Sequence, residues 1–160
     1  MKLTIFGAKN SPTDLLGSRL LNEETFYPAF LKDLKRCKSE VIIECPFVTT
    51  RRLNQLLPVL EKLKARKVRV VINTRDPQTN DDEYRRSNSH DALSTLQHLG
   101  VHVLYTRNHH RKLVIIDRSI LYEGSLNVLS QNNSAEVMRR VESTQLAWEM
   151  IRFVGFDRVV

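Results

Sequence analysis

The residues best equipped for chemistry lie in one stretch, His110-Arg111-Lys112-Leu113-Val114-Ile115-Ile116-Asp117, continued after six residues by Gly124-Ser125-Leu126-Asn127. An apolar run between polar ends predicts a buried β-strand, in which residues two apart share a face, so His110 and Lys112 point the same way. One imidazole and one ammonium then line one pocket. A second short strand, 119–123, brings Gly124, Ser125 and Asn127 to the end of the sheet, where a tight loop presents a hydroxyl and an amide. Together these residue types make a phosphate site with a nucleophile in it. A phosphodiester resists attack because its anionic oxygens repel nucleophiles and its alkoxide is a poor leaving group. A neutral imidazole can attack phosphorus to give a phosphohistidine, while a second, protonated imidazole hands its proton to the departing oxygen. Water then attacks with that second histidine as base. Lys112 and the Asn127 amide stabilise the non-bridging oxygens as the transition state forms, with Ser125 as a further donor. Chemistry of this kind calls for no metal or other cofactor, because Lys112 supplies the charge.

The pattern H-x-K-x(4)-D-x(6)-G-S-x-N resembles the motif of the phospholipase D superfamily. Six specified positions arise by chance on the order of once in 10^7 starting points, which makes the pattern specific. The flanking text Glu123-Gly-Ser-Leu-Asn-Val-Leu-Ser130, followed by Ala135-Glu136-Val-Met-Arg-Arg140, is similar to nuclease modules of the superfamily, including those joined to helicases or restriction enzymes. The likeness covers residues 105–140 closely and the α/β pattern upstream loosely. It implies that His110 is the nucleophile, that Lys112, Ser125 and Asn127 hold the phosphate, and that Asp117 is mainly a structural or orienting partner. It also matches Glu136 to an acid that binds the histidine's other ring nitrogen, where a carboxylate would fix the tautomer and stabilise positive charge. The alternative for Glu136 is a solvated acid at a strand end. No second H-x-K occurs. One chain therefore supplies one essential histidine, and the resemblance to small single-motif nucleases implies a homodimer with the active site on its twofold axis.

The elements that must position these residues read as an α/β chain. Phe26, Phe30 and Leu34 recur every four residues after Asn22, a candidate N-cap with Glu23 and Glu24 beyond it, and predict an amphipathic helix. Residues 40–48 form a β-branched strand ending near Pro46. Leu53, Leu56, Leu57, Leu60 and Leu63 mark a second helix, 68–73 a strand, Ala92, Leu93, Leu96 and Leu99 a third helix stopped at Gly100, and 101–105 a strand. After the motif, 135–140 suggests another strand, and Leu146, Ala147, Met150, Ile151 and Val154 a closing helix with Trp148 beside its core face. Alternating helix and strand imply parallel pairing, hence a phospholipase D-like α-β-α sandwich around a mixed, largely parallel sheet. Residues 2–8 read as a short strand and 9–22 as an irregular connection. Residues 74–88 are polar without an apolar period. They read as a loop in which Arg75, Arg85 or Arg86 contacts phosphates, or equally as a plain surface loop. His109 adjoins the motif histidine but points the opposite way along a strand, which makes it a support or substrate contact rather than the nucleophile.

With 160 residues, the expectation is one domain over 1–160, alone or as part of a larger protein. A net charge of +7 biases it toward polyanions such as nucleic acid or anionic membranes. No window of about 18 apolar residues and no signal-peptide core appear, so the protein is expected in the cytoplasm without membrane insertion. Cys37 and Cys45 show no metal spacing and read as buried thiols. His90, His98 and His102 need not share a face, because Gly100 separates the last two. The leading expectation is a metal-independent DNA endonuclease of low sequence specificity. A phospholipase or phosphatidyl-transfer enzyme would use the same histidines, although no membrane-docking segment is apparent. A nucleic-acid-binding module of a larger helicase or restriction machine is the third reading.

Overall fold

Strands that are apolar on both faces must be covered on both faces, and runs such as 41–43, 70–72 and 113–116 therefore demand helices above and below one sheet. The computed structural model describes residues 17–79, 83–130 and 133–158, without the Arg85 side chain, and has this arrangement. In chain order come β1 (Ser18–Leu21), α1 (Phe26–Arg36), β2 (Glu40–Glu44), α2 (Thr50–Ala65), β3 (Arg69–Thr74), a 3-10 turn (Pro77–Thr79), α3 (Glu83–His98), β4 (His102–Tyr105), β5 (Leu113–Ile116), β6 (Ile120–Gly124), β7 (Met138–Glu142) and α4 (Thr144–Val154). One sheet has the strand order β1-β7-β6-β5-β2-β3-β4. Phe26, Phe30 and Leu34 of α1, Leu53, Leu56, Leu60 and Leu63 of α2, and Leu93 and Leu96 of α3 pack on one face. Ala147 and Ile151 of α4 cover Ile42, Val71, Leu113, Ile115 and Leu121 on the other. The α-β-α sandwich is thus built on helix stripes of period three to four meeting strand faces of period two.

The sheet is mixed, but it is largely antiparallel rather than largely parallel. Only β2–β3 and β3–β4 pair in parallel, whereas β1–β7, β7–β6, β6–β5 and β5–β2 are antiparallel. A parallel neighbour needs a crossover, and only α2 and α3 supply one. The chain leaves β4 without a helix, turns back through 106–112, and enters the sheet as β5 beside β2, running the other way. Asp117 and Arg118, both in left-handed backbone conformation, then make the tight link to β6.

Two connections also differ from expectation. Part of the supposed irregular segment 9–22 is β1, whose partner β7 lies more than a hundred residues downstream, with Ser18 opposite Val141. A four-residue edge strand leaves little local signal. Residues 2–8 and 9–16 lie outside the described residues. The polar stretch 74–88 is not one loop, because it contains the 3-10 turn and α3 begins at Glu83. The first turns of α3 dock by polar contacts instead of an apolar stripe: Thr50 N donates to Asn88 Oδ1 at 2.9 Å and Ser89 Oγ to Val48 O at 3.0 Å. Among the described residues, no helix is long and apolar enough to cross a membrane.

Candidate active site

β5 begins only at Leu113, so His110 and Lys112 stand in the extended segment leading into it rather than inside the strand. The two halves of the motif meet where Gly124 N donates to Lys112 O at 3.4 Å. A Cβ on Gly124 would lie 2.1 Å from Val137 O and 2.9 Å from Met138 Cα, so a glycine is needed for β6 and the approach to β7 to come this close. His110 is exposed, and its Nδ1 lies 3.0 Å from Lys112 Nζ, which also donates to His110 O at 2.8 Å. Burial holds the Lys112 ammonium below the usual lysine range, against the opposing field of Glu136.

The lead-in segment is clamped from behind by a network that the sequence reading missed. Arg111 sets Nε and Nη2 on the fully buried Glu44 carboxylate at 2.5 and 2.8 Å. Asn73 Nδ2 donates to Glu44 Oε1 at 2.8 Å, and Thr106 Oγ1 donates to Asn73 Oδ1 at 3.0 Å. Arg75 Nε donates to His109 O at 2.6 Å, so Arg75 holds backbone beside the site. A signal for this clamp exists in the sequence: Glu44 and Asn73 are the polar residues that directly follow the apolar runs 41–43 and 70–72 of β2 and β3. His109, unlike the exposed His110, is only 3% exposed, with neither ring nitrogen partnered among the described residues. Burial holds the His109 imidazole below the usual histidine range; Glu44 opposes this and Arg111, Arg75 and Lys112 reinforce it. Cys45, just after β2, is a buried thiol whose pKa burial pushes up, so it stays protonated.

The other motif residues divide. Asn127 sits in the turn after β6, and its Oδ1 is buried without a partner among the described residues. That turn is anchored to the end of β2 through Leu129 N, which donates to Cys45 Sγ at 3.4 Å. The Ser125 hydroxyl accepts from Val137 N at 3.1 Å and reaches Val137 O at 3.4 Å, tying the loop to the entry of β7. Glu136 accepts from Ser134 Oγ at 2.7 Å rather than from a ring nitrogen of His110, and it acts on the site through its field at Lys112. Asp117 lies at the far end of β5. It accepts from the backbone N–H groups of Lys38, Ser39 and Glu40 at 2.8, 2.8 and 3.1 Å, and from Ser39 Oγ at 2.8 Å. Burial alone would raise its pKa, but those donors outweigh burial and hold the carboxyl at about 2. Arg86 is exposed on α3, and the Arg85 side chain lies outside the described residues. Among the described residues, no three His, Cys, Asp or Glu side chains gather so as to hold a metal ion. His98 instead approaches Ser94 O of its own helix at 2.7 Å.

An exposed imidazole beside an ammonium can bind an anionic phosphoryl group and attack it. Comparison with known proteins bears on this chemistry. The family model described as cardiolipin synthase, PLD-like domain, matches residues 30–154. Among solved structures, the phospholipase D family member Nuc from Salmonella typhimurium superposes with a TM-score of 0.69 at 16% identity, over 85% of this chain and 90% of that one. NucT from Helicobacter pylori gives 0.63 at 17% identity, over 85% and 91%. Polyphosphate kinase from Porphyromonas gingivalis gives 0.66 at 13% identity, over 86% of this chain but 25% of that one. Comparison with curated protein sequences gives no match.

Proposed function

Because the chain belongs to the phospholipase D-like family, we propose that it is a phosphodiesterase, and specifically a DNA endonuclease of low sequence specificity that works through a phosphohistidine in a homodimer. The observation that carries this reading is the exposed His110 ring paired with Lys112 at the loop that presents Asn127. An incoming phosphodiester competes for the ammonium, drawing Lys112 off Nδ1 and onto the non-bridging oxygens. The neutral His110 ring attacks phosphorus, a P–N bond forms, and the P–O bond to the leaving strand breaks as that oxygen takes a proton from the partner's His110. The partner's His110 then takes a proton from water, whose oxygen attacks phosphorus and expels His110. Lys112 and the Asn127 amide act most strongly at the transition state, where charge on the oxygens is greatest.

Sharing between subunits is supported by supply and by surface. One chain offers one H-x-K histidine, since His109 is buried. Beside Gly124, Leu20 and Val137 are 62% and 49% exposed, with Glu123 and Arg139 between them, an apolar patch with both charges for a self-complementary contact. The net charge of +7 favours a nucleic-acid substrate over a neutral one. The matched family model, described by a cardiolipin synthase, favours phosphatidyl transfer as the second reading.

The test is incubation with plasmid DNA, single-stranded DNA, RNA and phosphatidylglycerol vesicles, each in excess EDTA. DNA cleavage that falls steeply with salt is expected, because phosphate contacts release counterions. Loss of cleavage in EDTA with recovery on adding a divalent ion would contradict the mechanism, and turnover of the vesicles alone would replace the DNA reading with the lipid one. Equal mixing of wild-type and His110→Ala subunits should leave about a quarter of the activity if sites are shared, and half if they are not.

A further inference from the structure

A cleft of about 250 Å³ opens beside the motif loop, between the segment after β2, the first turns of α3 and the turn carrying Asn127. It lies beyond the C-terminal ends of the parallel strands, where open α/β sheets gather ligands. Its character is unlike that of the phosphate site. Phe47 and Tyr84 supply aromatic surface, and Tyr84 is 77% exposed on α3, one turn before Asn88, so both face the cleft. Arg75 lies over the Phe47 ring at 5.1 Å, which backs that ring from the side of the active site.

Asn127 lines this cleft, and the decisive atom is its Oδ1, buried just beneath the lining and without a partner among the described residues. A buried acceptor left unpaired is costly, and a phosphodiester cannot relieve it, because its oxygens are acceptors only. The missing partner must carry an N–H or O–H. A group that is flat, stacks on aromatic rings, offers an N–H at its edge and is joined to a phosphate is a nucleobase. Asn88 adds a second amide at the rim; its Oδ1 is used by Thr50 N, and its Nδ2 has no partner among the described residues.

We infer that this cleft is a nucleobase subsite, in which one unstacked base beside the scissile phosphate inserts between Phe47 and Tyr84 and donates to Asn127 Oδ1. This rests on the phosphodiesterase reading and narrows it, because a base can enter only from a single strand or a locally opened duplex. Asn127 then serves two ligand parts at once, its Nδ2 toward the phosphate and its Oδ1 toward the base.

The experiment compares a fluorescein-labelled hexamer of deoxythymidylate with an abasic hexamer of equal phosphate count. Binding is read by anisotropy on His110→Ala protein, and cleavage on wild-type protein. The expected result is binding of the base-bearing strand about tenfold or more tighter, a preference that Tyr84→Ala abolishes and Tyr84→Phe retains, with circular dichroism confirming the fold of both variants. Equal binding of the two strands overturns the subsite while leaving the phosphodiesterase reading intact if both are cleaved. Base-dependent binding without cleavage of either strand upholds the subsite and removes the phosphodiesterase reading. Displacement of the hexamer by a dihexanoyl phosphatidylglycerol but not by thymidine monophosphate would assign the cleft to an acyl chain and overturn the base.

Discussion

The two ends of β5 carry residues of one motif and treat them oppositely. At the Asp117 end both carboxylate oxygens are engaged: three backbone N–H groups and a hydroxyl bind one carboxylate, and Arg118 next to it lies on Glu40 at 2.9 Å and over the Trp148 ring at 4.6 Å. At the His110 end the ring is exposed and, among the described residues, hydrogen-bonds only with its own neighbour Lys112. Four apolar residues separate a saturated clasp from an open site. Polar groups that are fully satisfied fix structure, and groups left able to change partners do chemistry.

The largest expected effect breaks this comparison at its open end. His110→Ala should lower turnover by about 10^3-fold or more with the melting curve unchanged, while Asp117→Ala should cost about 2–4 kcal/mol of stability and leave kcat of the folded fraction within a few-fold. Calorimetry beside single-turnover kinetics separates the two. Loss of turnover in folded Asp117→Ala protein would erase the distinction. A smaller effect sharpens the open end: Lys112→Ala and Asn127→Ala should each lower kcat by about 10^2–10^3-fold, more than they raise KM, because the charge they meet grows in the transition state. A pure KM effect would count against that role.

How much of this was legible follows the same division. The motif residues and the helix stripes could be read because they rest on local spacing, such as Phe26, Phe30 and Leu34. The antiparallel half of the sheet could not, because the pairing of β1 with β7 and of β5 with β2 is set by long-range register. The start of α3 was hidden because Asn88 and Ser89 dock it with polar atoms, which leave no apolar period. The Glu44–Arg111 clamp was visible only as two polar residues following apolar runs, and Glu136 stands on Ser134 where the resemblance implied the histidine ring.

The smallest expected effect concerns the residue between the two behaviours, His109, whose ring is buried yet has no hydrogen-bond partner among the described residues. Its folded pKa lies below the ordinary 6.5, so the unfolded chain takes up the proton first. Stability contributed by the neutral ring is present above that value and is lost as pH falls from it toward the folded pKa, with a slope of up to about 1.4 kcal/mol per pH unit. Urea midpoints at pH 7 and pH 5 should therefore differ more in the wild type than in His109→Gln. An identical pH dependence in the two would show that His109 is not held neutral by its burial.

The central claim is that His110 forms a covalent bond to phosphorus, and the stereochemical course at phosphorus tests it most directly. Each displacement inverts the phosphorus centre, so a two-step reaction through His110 returns the original configuration. Cleavage of a P-chiral phosphorothioate diester in oxygen-18-labelled water with excess EDTA, which leaves an isotopically chiral thiophosphate, should therefore proceed with net retention. Net inversion would mean that water attacks the substrate directly, and the phosphohistidine account would fall.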